Sequence, residues 1–118
     1  MIAIDLSKKL PKMITPVFKD VAWQDWAALD PAALKKDDVD DGAQWQSAGT
    51  VPAGWIITQL GMGEFELGGI RITGDNNTVT SDDKATVDQL VQLLSYVKMQ
   101  ARDRIGLTLH ESVDFKNI

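Results

Sequence analysis

The sequence predicts an α+β fold, in which a small antiparallel sheet packs against one long C-terminal helix. Polar and apolar residues alternate over 64–67 and again over 70–73, on either side of a Gly-Gly pair. A β-prone run over 55–60 precedes them, and apolar residues recur at helical spacing over 82–105. We therefore expect a β-meander over about 55–60, 64–67 and 70–73, a long helix over about 82–105, and shorter N-terminal helices.

The sequence of the N-terminal third predicts one strand and two short helices. Apolar Ile2, Ile4 and Leu6 alternate with other residues, which is typical of a short strand. Apolar residues then follow at helical spacing, and Pro16 interrupts them. Because proline is favoured at the first position of a helix, we expect helices over about 8–14 and 16–29. The apolar stripe consists of Leu10, Met13, Ile14, Val17, Phe18 and Val21.

The middle of the chain lacks a regular pattern. Asp30-Pro31 predicts a short helical turn through Leu34, since aspartate caps a helix and proline fits its first turn. Residues 43–54 are rich in small and polar side chains, so we expect no regular secondary structure there. After that stretch, Gly68-Gly69 is a hairpin signal.

The long helix carries its own start and stop signals. Ser81 is a capping residue, and Asp82 and Asp83 would lie where the helix dipole favours negative charge. Gly106 is a natural C-terminal stop, because glycine readily adopts the left-handed conformation that ends a helix. A last strand is predicted over 107–110.

Composition limits the class of protein. The chain has 118 residues, no cysteine and a net charge of −5, so we expect one globular domain over 1–118 without disulfides. The acidic balance argues against binding to a nucleic-acid backbone. No stretch of about 18 apolar residues is present to span a membrane, and the first residues do not resemble a signal peptide. We therefore expect a cytoplasmic protein that contacts neither nucleic acid nor membrane.

Three candidate chemical sites lack residues that their chemistry requires. Counting back from Gly42, the acidic run Asp37–Asp41 lacks the third and twelfth ligands of a calcium loop. Gly61-Met62-Gly63 lacks the further residues of a phosphate loop. His110 is the single histidine and has no identifiable catalytic partner. We predict no catalytic residues, no metal and no cofactor.

Tryptophans and aspartates before residue 50 are the best candidates for contact with a partner. Four tryptophans are unusual in a chain of this length, and aromatic residues are enriched in protein interfaces. A run of aspartates would attract a basic protein. The predicted partner-binding residues are Trp23, Trp26, Asp37, Asp38, Asp40, Asp41 and Trp45.

Three functional hypotheses follow from these patterns. The first is a non-enzymatic protein-binding module, such as a small acidic inhibitor, an immunity-type antagonist or an assembly chaperone. The second is a small enzyme or small-molecule-binding domain with a pocket between sheet and helices, for which Glu64, Glu66 and His110 are the chemical candidates. The third is a homo-oligomeric structural protein, joined through an exposed strand edge or an apolar tail. The scarcity of chemical motifs favours the first.

Overall fold

A computed structural model gives the fold of the chain. It describes residues 2–5, 10–29, 41–73 and 77–116, and it describes side chains for 10–29, 41–73 and 77–113. The strands are β1 (Ile2–Asp5), β2 (Met13–Ile14), β3 (Val21–Ala22), β4 (Thr50–Val51), β5 (Glu66–Leu67), β6 (Ile70–Thr73), β7 (Thr78–Ser81) and β8 (Val113–Lys116). The helices are α1 (Trp23–Ala27), α2 (Gly42–Ala48), α3 (Ala53–Gln59) and α4 (Val87–Ile105).

A four-stranded antiparallel sheet in the order β2-β7-β6-β5 forms the centre of the fold. β5 and β6 form the hairpin predicted around Gly68-Gly69, with Leu67 paired to Ile70. α4 supplies a buried stripe to the core, consisting of Leu90, Leu93, Leu94, Val97 and Ala101. The predicted α+β class, with an antiparallel sheet and a long C-terminal helix, is confirmed.

Two smaller sheets lie outside this centre. β3 and β4 pair antiparallel, with Val21 opposite Val51, and so connect the start of α1 to the start of α3. β1 and β8 pair in parallel, with Ile2 opposite Val113. The strand predicted around Ile2 is confirmed, while the last strand lies at Val113–Lys116 instead of 107–110. Whether the whole chain forms one domain stays a prediction.

The strand predicted over 55–60 is wrong, because most of this stretch belongs to α3. A short apolar run fits a buried helix as well as a strand, and here Ile56 and Ile57 are fully buried. The Asp20 carboxylate accepts a hydrogen bond of 3.0 Å from the backbone N–H of Ala53, the first residue of the helix. Asp20 lies 33 residues away, so no local pattern shows this stabilising contact. The third strand of the meander is β7.

The two predicted N-terminal helices are also wrong over most of their length. Met13 and Ile14 form a strand paired to β7, and only Trp23–Ala27 is helical within 16–29. The backbone N–H of Val17 donates to the carbonyl of Asn77 at 2.9 Å, and Phe18 forms a bridge with Glu111. Long-range pairing therefore takes the backbone groups that a helix would have used. Residues 8–9 and the helical turn predicted over 30–34 lie outside the described residues.

The long helix starts five residues later than predicted. Ser81 belongs to β7, and Thr86 caps α4 through a reciprocal capping box with Gln89. The predicted stop at Gly106 is confirmed, with a φ of 70° in the left-handed region. Instead of an irregular stretch over 43–54, the chain forms α2, β4 and the start of α3.

Candidate functional site

An extended segment between α4 and β8 forms one wall of the candidate site. Leu107 and Leu109 are buried, whereas Thr108 and His110 are exposed, so successive side chains alternate between core and solvent. The carbonyl of His110 accepts a hydrogen bond of 2.8 Å from the backbone N–H of Lys19. The backbone N–H of Ser112 donates to the carbonyl of Val17 at 2.7 Å. The segment is thus fixed along the chain that leads into α1.

A cleft of about 500 Å³ lies between this segment and α1. A smaller recess of about 160 Å³ shares three of its lining residues, Asp25, Thr108 and His110. We call the two together the His110 cleft. Its further lining residues are Lys19, Asp20, Val21, Ala22, Ala28, Leu29, Gly106 and Leu107. The combination of apolar walls and a few charged groups is typical of ligand-binding clefts.

The charged groups of the His110 cleft differ in how they are engaged. Asp20 accepts the hydrogen bond from Ala53 and is thereby tied to the start of α3. Lys19 and His110 form no ion pair with any other described residue. Within the described residues, the cleft is thus lined by two nitrogen-bearing side chains without an ionic partner, and the Asp25 carboxylate also lies at its wall.

A second cleft, of about 300 Å³, lies between the same segment and the surface of α4. Its cationic residues are Lys98 and Arg102. Lys98 Nζ lies 3.0 Å from a carboxylate oxygen of Glu111, and Arg102 Nε lies 3.2 Å from the carboxylate of Asp103. Both cations have a carboxylate nearby, but the Arg102 and Asp103 side chains are 69% and 58% exposed, so that ion pair is weak.

The predicted partner-binding tryptophans lie mainly in the core. Trp26 is 1% exposed and Trp45 is 7% exposed, while Trp23 is half-buried. The rings of Trp26 and Trp45 meet edge to face with centroids 6.0 Å apart, and Trp55 packs edge to face against both. This arrangement stabilises the junction of α1, α2 and α3 and exposes little tryptophan surface.

The predicted acidic surface is only partly described. Asp41 is exposed and immediately precedes α2. Asp37, Asp38 and Asp40 lie outside the described residues. Contact of these aspartates and tryptophans with a protein partner stays a prediction, as does self-association of the chain.

The three chemical candidates of the second hypothesis are not brought together. Glu64 and Glu66 are exposed beside the β5–β6 hairpin, and Glu64 lies 3.8 Å from the Arg71 guanidinium. Neither glutamate lines the His110 cleft, so only His110 lies in a described cleft.

Sequence reasoning missed Lys19, Asp25 and Thr108 as site residues. The alternation of Leu107, Thr108, Leu109 and His110 is visible in the sequence and indicates which side chains face outward. The opposite wall comes from a segment far earlier in the chain. No pattern among neighbouring residues predicts that these two segments contact each other.

Neither a metal-binding cluster nor a membrane span is found where the structure is described. Within residues 10–29, 41–73 and 77–113, no three His, Asp or Glu side chains gather closely enough to hold a metal ion. None of the described helices has both the length and the apolar character needed to cross a membrane.

Comparison with known proteins gives two matches. Residues 13–116 match the family model described as UDP-N-acetylenolpyruvoylglucosamine reductase, C-terminal domain. The chain is also 29% identical over 68 residues to a curated protein named UDP-N-acetylenolpyruvoylglucosamine reductase from Solibacter usitatus (strain Ellin6076). That match covers 57% of the chain and 22% of the relative, so the chain spans about a fifth of the length of this relative.

These matches overturn the first functional hypothesis. We expected a non-enzymatic inhibitor, antagonist or chaperone, because the sequence shows few chemical motifs. The family match over 13–116 points instead to a domain of a reductase. The first hypothesis failed because one domain of a larger protein need not contain a complete catalytic motif, so the scarcity of such motifs did not point to a non-enzymatic module.

Proposed function

Because the chain belongs to the family of UDP-N-acetylenolpyruvoylglucosamine reductase C-terminal domains, we propose that it acts as the C-terminal domain of such a reductase. We further propose that its contribution is to bind the nucleotide-sugar substrate in the His110 cleft. The observation that carries this proposal is that the family match includes every residue lining the cleft.

The chemistry of the substrate in the relative's name suits this cleft. A UDP-linked sugar with an enolpyruvoyl group combines anionic phosphates, an anionic carboxylate and several hydroxyl groups. Lys19 and His110 can donate hydrogen bonds to the anions, and Asp25 can accept them from hydroxyl groups. The apolar side chains of Val21, Ala28 and Leu29 can cover the less polar faces of the ligand.

We place the activity in the cytoplasm as part of the same proposal. The absence of cysteine fits a reducing compartment. The reduction itself is the activity named for the relative, and the match covers 22% of that protein. We propose that this chain contributes substrate binding to that activity.

Calorimetric titration of the chain with UDP-N-acetylenolpyruvoylglucosamine tests this proposal. We expect saturable binding by the native chain. Ala28→Trp places a large ring at the wall of the cleft, so it should weaken binding at least tenfold. Ala43→Trp introduces the same side chain on α2, outside the residues that line the cleft, and should leave binding unchanged.

Two results would overturn the proposal. One is a native chain that binds no substrate at millimolar concentration. The other is Ala28→Trp binding as tightly as Ala43→Trp, because the ligand would then occupy another surface. Circular dichroism of both variants confirms that each has kept its fold.

A further inference from the structure

One side of α4 carries apolar side chains that no other described part of the chain covers. Within the described residues, three of the four large hydrophobic side chains that are well exposed lie on this helix, namely Val91, Tyr96 and Met99. Val91 is 42% exposed and Met99 is 37% exposed. Because apolar groups gain free energy when they leave water, this side of the helix is a candidate contact surface.

Val91 and Met99 belong to a row of exposed side chains that starts and ends with a charged residue. Spacings of three or four residues place the whole row on one side of the helix. Asp88 and Arg102 are its ends, and each lies seven residues from Ser95, or about 10 Å along the helix axis. We call this row the outer α4 face, and it consists of Asp88, Val91, Ser95, Met99 and Arg102.

We propose that the outer α4 face is a dimer interface, on which the α4 helices of two copies of this chain pack antiparallel about a two-fold axis at Ser95. Such an axis sets Asp88 of each copy opposite Arg102 of the other copy. It also sets Val91 opposite Met99, so each contact forms twice. This inference goes beyond the proposed function, because none of the residues on the outer α4 face lines the His110 cleft.

Charge complementarity identifies a second copy as the partner. The outer α4 face is acidic at one end and basic at the other, and it therefore complements itself when two helices run in opposite directions. A parallel arrangement would set Asp88 against Asp88 and Arg102 against Arg102, which is repulsive. Antiparallel helices also bring the positive end of each helix dipole near the negative end of the other.

Both charged ends of this face are available to a second copy. Asp88 forms no ion pair with another residue in the described part of the chain. Arg102 lies 3.2 Å from its sequence neighbour Asp103, and their high exposure makes that ion pair weak. An acidic group arriving from a second copy can therefore compete for the Arg102 guanidinium.

The shape of the surface at and beside Ser95 suits a helix from a second copy. Ser95 has a small side chain, which allows two helices to approach closely where they cross. The second cleft, of about 300 Å³, is lined by Ser95, Met99 and Arg102 and has Leu109 at its wall. Val91 of the second copy faces Met99, so it can enter this cleft and be covered there.

The dimer should be weak and reversible. One helix face from each copy buries less than about 1,200 Å² in total, at the lower end of the sizes of specific interfaces. We therefore expect a dissociation constant of roughly 10–100 μM, which sedimentation equilibrium can measure.

Charge-swapped variants test the pairing of Asp88 with Arg102. Asp88→Arg and Arg102→Asp should each raise the dissociation constant of the dimer by about tenfold or more, because like charges then face each other twice. The double variant Asp88→Arg/Arg102→Asp restores opposite charges and should dimerise within about threefold of the native chain. Glu66→Arg reverses an exposed charge on β5 and should change dimerisation by less than about twofold.

A disulfide tests the position of the two-fold axis, because the chain has no cysteine of its own. Ser95→Cys should form a covalent dimer on mild oxidation, since the axis brings the two copies of this residue within the Cα separation of about 7 Å that a disulfide can span. Ser47→Cys places a thiol on another exposed helical serine, on α2, and should link at least about tenfold more slowly. Circular dichroism of every variant confirms that it has kept its fold.

Three results would overturn the proposal. The first is a native chain that stays monomeric at about 1 mM. The second is a double variant that dimerises no better than Asp88→Arg, and the third is a Ser95→Cys variant that links no faster than Ser47→Cys. Each would assign the outer α4 face to a partner other than a second copy, such as another domain of a reductase. Restored dimerisation of the double variant together with rapid linkage through Ser95→Cys supports the two-fold interface.

Discussion

The side chain of Asn77 holds the backbone of Phe18 through both of its polar groups. Asn77 Oδ1 accepts a hydrogen bond of 3.0 Å from the Phe18 N–H, and Asn77 Nδ2 donates one of 2.6 Å to the Phe18 carbonyl. The two residues are 59 positions apart, and both are buried. Asn77 thereby supplies the two hydrogen bonds that a neighbouring strand would otherwise provide to Phe18. These bonds hold in place the segment that leads to Lys19 and the His110 cleft.

Removing this amide should destabilise the whole fold. Asn77→Gly leaves the buried N–H and carbonyl of Phe18 without partners, and each unpaired group costs about 1–3 kcal/mol. We expect the free energy of unfolding to fall by about 2–4 kcal/mol, measured by urea denaturation with tryptophan fluorescence.

A second substitution separates the hydrogen bonds from the backbone conformation. Asn77 has a φ of 49°, which glycine tolerates and alanine does not. Asn77→Ala should therefore be less stable than Asn77→Gly by roughly 1 kcal/mol. A glycine variant as stable as the native chain would show that the amide contributes nothing.

The Gly68-Gly69 hairpin should tolerate no side chain at Gly69. A Cβ there would lie 2.9 Å from the backbone N of Ala85 and closer still to the Asp82 carboxylate, just before the start of α4. Gly69→Ala should cost about 1–3 kcal/mol through overpacking, measured by thermal unfolding. Gly42→Ala is the matched control, because a Cβ at that position would meet no atom of the described structure within 4 Å. Equal stability of the two variants would contradict the close packing of this hairpin.

Trp26 should be the most important tryptophan for stability. Its ring is 1% exposed and packs edge to face on Trp45 and Trp55. Trp26→Ala should therefore lower the free energy of unfolding by about 3–5 kcal/mol. Trp23→Ala, at a half-buried position, should cost roughly 1–2 kcal/mol. Near-ultraviolet circular dichroism should lose most of its tryptophan signal only in the Trp26 variant, and similar losses in both would count against the cluster.

Local sequence patterns predicted the structure correctly where the backbone hydrogen bonds form between residues close in sequence. The hairpin at Gly68-Gly69 and the C-terminal stop of α4 at Gly106 both follow from residues close in sequence. The prediction failed for 16–29, where the Phe18 backbone bonds to Asn77 instead of forming a helical turn. It failed again for 55–60, where the helix start depends on distant Asp20.

By itself, the sequence determined the α+β class, the central hairpin and the long amphipathic helix, because turn residues and periodicity act over a few positions. Only the tertiary structure decided that Trp26 and Trp45 belong to the core and that Lys19, Asp25 and His110 share one cleft. Burial and clefts arise from contacts between segments far apart in the chain. Such contacts leave no periodic signal in a single sequence, so the cleft became visible only in the folded chain.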